Sequence, residues 1–103
     1  MGAKPPPFNL FFEVLFLESY GGLGLKEKKA IDRAVLLLVE NPRHPSLKVH
    51  KAKNVQGKYP LGGISVFIAY ATKDLRITFE YGPEPGTIAL RNCGFHDTCE
   101  SKI

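Results

Sequence analysis

With 103 residues, 44% of them hydrophobic, the chain has the size of one domain and enough apolar side chain for a modest core. Its longest apolar runs, residues 35–39 and 64–71, fall short of the roughly 18 residues that a membrane span needs, and one lysine ahead of Pro5-Pro6-Pro7 does not lay out a secretory leader; a cytoplasmic protein with no membrane partner is expected. The net charge of +4 is uneven: residues 26–58 carry nine Lys/Arg against three acids, and residues 42–58 carry five with no acid, which suits a polyanion as well as it suits a solvated basic face.

In chain order, residues 1–7 are expected to be a flexible lead-in, because three prolines favour an open polyproline conformation. Residues 8–103 are expected to form a single domain. The run Phe-Asn-Leu-Phe-Phe-Glu at 8–13 predicts a short aromatic strand. Residues 14–20 predict a short helix that Gly21 and Gly22 bring to an end. The clearest signal is at 26–40, where Ala30, Ile31, Ala34, Val35, Leu38 and Val39 recur at helical spacing and build one apolar face. Asn41-Pro42 predicts its stop, with Asn in a left-handed cap and Pro unable to continue the helix. Residues 43–58 predict a basic connector or partial strand.

Three strands follow, at 64–70, 75–81 and 87–92, separated by turn residues at 72–74 and 83–86. In the second of them Leu75, Ile77 and Phe79 face one way and Arg76, Thr78 and Glu80 the other. Residues 94–103 predict a short tail. Short turns require antiparallel pairing, so the expected fold is α+β, with helices on one side of an antiparallel sheet. Cys93 and Cys99 match no zinc spacing and predict two reduced thiols.

The residues able to carry chemistry are the histidines His44, His50 and His96, with Asp74 at a turn and Arg76 two residues on. Histidine suits proton transfer near neutrality, and Lys or Arg suits charge developing on phosphorus. RNA brings its own nucleophile, the ribose 2′-hydroxyl, so such a set needs no metal or other cofactor. Each residue has an ordinary reading too: His44 and His50 as surface residues, His96 as a cap after the strand, Asp74 as a turn acid, Arg76 as a surface charge.

Four segments, in order, resemble the RelE/ParE superfamily of toxins from toxin–antitoxin pairs. FNLFFEVLFLESYGGL at 8–23 is similar to its opening strand and first helix. KEKKAIDRAVLLLVENPRHPSLKVHKAK at 26–53 resembles its second helix and the connector that follows. DLRITFEY at 74–81 and IALRNCGFHD at 88–97 resemble two later strands. The resemblance implies an N-terminal strand and helical hairpin packed on a curved antiparallel sheet. It implies an endoribonuclease that cleaves mRNA without metal, in the ribosomal A site, and blocks translation. It also implies a cognate antitoxin as partner, in a hetero-oligomeric complex; the other roles in the superfamily are gyrase inhibition and antitoxin binding without catalysis. In the YafQ-like branch the catalytic positions fall on His50, Asp74 and His96, with His96 as general acid and His50 and Asp74 as base and orienting groups. Lys48, Lys51, Lys53 and Arg76 are the expected phosphate contacts. Three places depart from that pattern: Tyr70 stands where the branch has a second histidine, Phe95 where it has Ser or Thr, and Thr98-Cys99-Glu100 holds no aromatic.

Overall fold

The computed structural model describes residues 7–101. All of the expected lead-in except Pro7 lies outside the described residues, as do residues 102 and 103. Among the described residues the order is β1 (Asn9–Phe12), α1 (Val14–Gly21), α2 (Leu25–Glu40), β2 (His50–Gln56), β3 (Ser65–Tyr70), β4 (Leu75–Tyr81), β5 (Thr87–Phe95) and α3 (His96–Ser101). Short 3-10 turns at Pro45–Leu47 and Pro60–Gly62 flank β2.

The strands make one sheet in the order β1-β5-β4-β3-β2. The pairs among β2, β3, β4 and β5 are antiparallel, as the short turns require. β1 adds parallel to β5, with Asn9 opposite Thr87 and Phe12 opposite Leu90. This parallel pair follows from a long connection: the helical hairpin, β2, β3 and β4 all lie between the two strands in sequence.

The apolar stripe of α2 does what its spacing predicts: Ile31, Ala34 and Leu38 are buried. They meet Phe16 of α1 and the sheet residues Ile77, Phe79, Ile88 and Leu90 in one core. Glu27 in the first turn of α2 complements the positive end of the helix dipole. Asn41 does not take the left-handed cap. It is extended, with φ −161° and ψ 95°, and its amide still donates to Leu37 O at 2.7 Å. Its side-chain Oδ1 accepts from Arg43 N at 3.0 Å, so the stop comes from a side-chain turn and the proline behind it.

Two segments are more ordered than their sequence suggests. The basic connector becomes a 3-10 turn plus the seven-residue β2. The tail becomes α3, after a β5 that runs on to Phe95. Gly94 makes that change of direction possible: its φ of +146° is open to glycine and strained for any residue with a Cβ.

The face of β4 turned away from α1 and α2 is covered as well. Arg76, Thr78 and Glu80 are all buried, whereas simple alternation leaves such residues free to face water. Glu80 shows how a buried carboxylate is accommodated. Its Oε1 accepts from Lys58 N at 2.7 Å and Tyr59 N at 3.1 Å, and its Oε2 pairs with Arg91 Nη1 at 2.5 Å. Glu13 reinforces the same loop, accepting from Lys58 Nζ at 2.8 Å and Tyr59 OH at 2.9 Å. A Cβ on Gly57 would overlap the Glu80 carboxylate, so the residue before this strap has to be small. Glu80→Ala removes the acceptor of two backbone amides and one ion-pair partner of Arg91; we expect a loss of about 3 kcal/mol, measured by urea unfolding.

The two cysteines are free and buried. Cys93 Sγ lies 3.9 Å from Phe16 O on the helical side, and Cys99 Sγ lies 3.8 Å from Arg76 O beneath α3. Burial pushes both thiols from an ordinary value of 9.0 up to about 12. Burial, and then the hydrogen bond to Glu13, lifts Tyr59 from 10.0 to about 12. As the pH climbs from 9 toward 12, these groups ionise in the unfolded chain before they ionise in the folded one. Their contribution to stability is therefore whole below pH 9 and declines across that window. Urea midpoints are expected to fall between pH 9 and pH 11 more steeply for the wild type than for Cys93→Ala/Cys99→Ala.

Candidate active site

The site is assembled where the start of β2, the end of β3, the start of β4 and α3 meet on the face of the sheet opposite the helical hairpin. Lys48 sets its first corner. It sits in the left-handed region, with φ 46° and ψ 42°, and turns the chain from the 3-10 turn into β2. In that conformation its carbonyl lies 3.1 Å from His50 Nδ1. A carbonyl only accepts, so Nδ1 carries the hydrogen, and in the neutral ring Nε2 has the free lone pair.

His50 is opposite Ile68 in the β2–β3 register and so shares a face with Tyr70, two residues on. The two rings meet edge-on, with centroids 6.2 Å apart. Lys48 Nζ lies 5.6 Å from the Tyr70 centroid, and the Arg76 guanidinium carbon lies 3.5 Å from it. Tyr70 is directly opposite Arg76 across the β3–β4 hairpin, so this stacking is set by strand register. Arg76 is 5% exposed. Its Nη1 donates to the carbonyls of Thr72, Lys73 and Leu75 at 3.0, 3.1 and 3.2 Å. The guanidinium therefore ties down the turn that carries Asp74, as well as bringing positive charge to the site.

On its other side Arg76 Nε is 3.3 Å from Glu100 Oε2, an ion-pair distance without the alignment of a hydrogen bond. The same oxygen is 3.5 Å from His96 Nε2, one helical turn back along α3. His96 Nδ1 is 3.0 Å from Asp97 Oδ1. Both ring nitrogens of His96 thus face carboxylate oxygens, whereas His50 faces one carbonyl. Asp74 enters through its backbone: its carbonyl accepts from His96 N at 2.7 Å and anchors the start of α3. Its own carboxylate is exposed and makes no ion pair among the described residues.

The resulting chain of contacts is Lys48 and His50, Tyr70, Arg76, Glu100, His96. It brings together four of the residues singled out from sequence: Lys48, His50, Arg76 and His96. Asp74 joins them through a backbone bond. The side chains of His50, Asp74 and His96 make no direct hydrogen bond to one another among the described residues. Lys51 is opposite Phe67, and Lys53 alternates with the buried Ala52, so both leave the edge strand on the face away from His50. His44 has local work: its Nδ1 accepts from Ser46 N at 3.2 Å and closes the 3-10 turn.

Tyr70 and Glu100 link the set, and sequence reasoning met them only as departures from a pattern. Tyr70 was legible as the partner of Arg76, since both flank one short turn symmetrically. Glu100 becomes legible only once residues 96–101 are known to be helical, which puts it one turn from His96. Among the described residues no group of three or more His, Cys, Asp or Glu is arranged to hold a metal ion. No helix among them is long and apolar enough to cross a membrane.

No protein-family model and no curated protein matches the sequence. Solved structures do match the fold. The archaeal RelE–RelB complex from Pyrococcus horikoshii OT3 aligns with a TM-score of 0.65 and 12% identity, over 86% of this chain and 94% of that one. The YoeB/ParE toxin from Agrobacterium tumefaciens aligns at 0.64 and 13%, over 85% and 98%. YafQ from E. coli strain BL21(DE3) aligns at 0.61 and 12%, over 88% and 96%. These chains are matched almost end to end, with the same α+β layering of helical hairpin and sheet, and the fold of this protein is that of the RelE/ParE toxins.

Proposed function

We propose that this protein is the toxin of a toxin–antitoxin pair and acts as a metal-independent endoribonuclease on translated mRNA. The observation that carries the reading is the line of contacts from His50 through Tyr70, Arg76 and Glu100 to His96. It sets two histidines with different hydrogen-bond surroundings on either side of a buried guanidinium. The fold supports the same reading, since the solved chains that share it include RelE, YafQ and YoeB/ParE toxins.

In this mechanism His50 Nε2 takes the proton from a ribose 2′-hydroxyl. The freed oxygen attacks the adjacent phosphorus and the bond to the 5′-oxygen breaks. His96 donates its proton to that leaving oxygen, and a cyclic phosphate remains on the upstream fragment. Arg76 and Lys48 balance the charge that builds on the phosphate oxygens. Asp74 orients His96 through its carbonyl. Tyr70 keeps Arg76 flat against one wall. Lys51 and Lys53, turned to the other face, serve longer-range attraction of the RNA.

An antitoxin is the second partner on this reading. The solved relatives include complexes of RelE with RelB and of YafQ with DinJ. The hairpin side here leaves a groove between Phe12, Leu17, Tyr20, Val35 and Leu36, with Leu17 and Leu36 more than half exposed. Apolar surface of that kind is usually covered by a partner.

The test is cleavage of a translated mRNA in EDTA, with ends mapped by primer extension. Wild type is expected to cut, and His50→Ala and His96→Ala are each expected to lose about a hundred- to ten-thousand-fold in rate. Growth arrest by a wild type that makes no cuts sinks the ribonuclease reading and makes DNA gyrase the next target to assay.

A further inference from the structure

Glu100 is the least expected member of the site, because a carboxylate is a poor companion for RNA phosphate. Its position is specific nonetheless. One oxygen, Oε2, lies 3.3 Å from Arg76 Nε and 3.5 Å from His96 Nε2. We propose that the Glu100 carboxylate is an internal stand-in for phosphate, seated between Arg76 and His96, and that an RNA phosphate must displace it to bind.

Three features of the structure support displacement over a permanent ion pair. The first is misalignment. Among the described residues Arg76 Nε is buried without a hydrogen-bond partner although Glu100 is beside it, so the carboxylate satisfies the charge and leaves the donor unmet. The second is shape. A carboxylate here serves two donors with one oxygen, whereas a tetrahedral phosphate offers separate oxygens to Arg76 Nε and His96 Nε2. The third is the division between fixed and movable parts. Arg76 is held by three turn carbonyls and by the Tyr70 ring, so the seat stays in place. The Glu100 side chain is 33% exposed, and a rotation carries it into water. Cys99 remains packed beneath the helix, against Arg76 O, so α3 need not undock for the seat to open.

The inference rests on the proposed RNA ligand and does not depend on cleavage, so the assay separates the two. Binding is measured by fluorescence anisotropy at physiological salt, with an RNA oligonucleotide whose 2′-oxygens are methylated and therefore cannot attack. Salt at that level screens the surface lysines and leaves the buried seat to differ between variants. Glu100→Gln keeps the shape and removes the charge, and is expected to bind about tenfold more tightly than wild type. Glu100→Asp keeps the charge on a shorter arm and is expected to fall between them. In cleavage kinetics Glu100→Gln is expected to lower KM several-fold more than it changes kcat.

Equal affinity in wild type and a folded Glu100→Gln overturns the proposal. So does weaker binding by Glu100→Gln, which makes Glu100 a support for its neighbours; if the Gln variant does not fold, wild-type affinity in Glu100→Asp overturns it as well. Tighter binding with no cleavage by any variant keeps the seat and removes the ribonuclease reading. Cleavage with equal affinities does the reverse.

Discussion

A strand buried on both faces cannot leave its polar side chains to water, and β4 carries three of them in alternation: Arg76, Thr78 and Glu80. The opposite alternation, Leu75, Ile77 and Phe79, is committed to the core beneath the helices. Each polar residue therefore needs partners brought to it from elsewhere in the chain. Glu80 recruits the backbone of Lys58 and Tyr59 together with Arg91. Arg76 recruits the carbonyls of its own turn, the ring of Tyr70 and the carboxylate of Glu100. Thr78 finds no partner for its hydroxyl among the described residues. The loops that border the candidate site are consequently organised from the middle strand outward, and their order is a by-product of solvating β4 from within.

This explains which parts of the fold were legible in the sequence. Helix α2 and the β3–β4–β5 meander announce themselves because one face of each is apolar at a fixed period and the stops between them are Gly, Pro, Asn or Asp. Alternation in β4 correctly separated its two faces. It could not report that the second face is covered, because most of the covering groups come from residues 58, 59 and 100, more than twenty residues away in the chain. The parallel addition of β1 beside β5 is hidden for the same reason: no local pattern encodes a partner more than seventy residues distant. The six residues of α3 are too few, and too polar, to show helical periodicity. They are helical because Cys99 packs down onto β4 and the amide of His96 is captured by the Asp74 carbonyl of the β3–β4 turn.

The site divides along the same line. Lys48, His50, Asp74, Arg76 and His96 could be named from residue type and family resemblance. Of the connections among them, Tyr70 to Arg76 follows from the short turn that both flank, whereas Glu100 acts through the tertiary placement of α3. Both histidines are exposed, so in the free protein water screens the electrostatic interactions around them. Under the proposed reaction the electrostatic part of catalysis grows only when a large substrate covers the rim and excludes that water. A shallow site of this kind suits a macromolecular substrate better than a small one, because the substrate brings the missing wall.

The outer strands of the sheet have a further consequence. β1 is four residues long and passes almost at once into α1. At the other edge β2 is interrupted by a register shift between Lys51 and Gln56, holds Asn54 in the left-handed region, and projects Lys51 and Lys53 from the same face. A short strand, a bulge and a pair of lysines are the usual means by which an open sheet avoids recruiting a strand from another molecule. The lysines of this basic segment thus guard the open edge of a small sheet against strand recruitment, a use for their charge that is independent of any RNA.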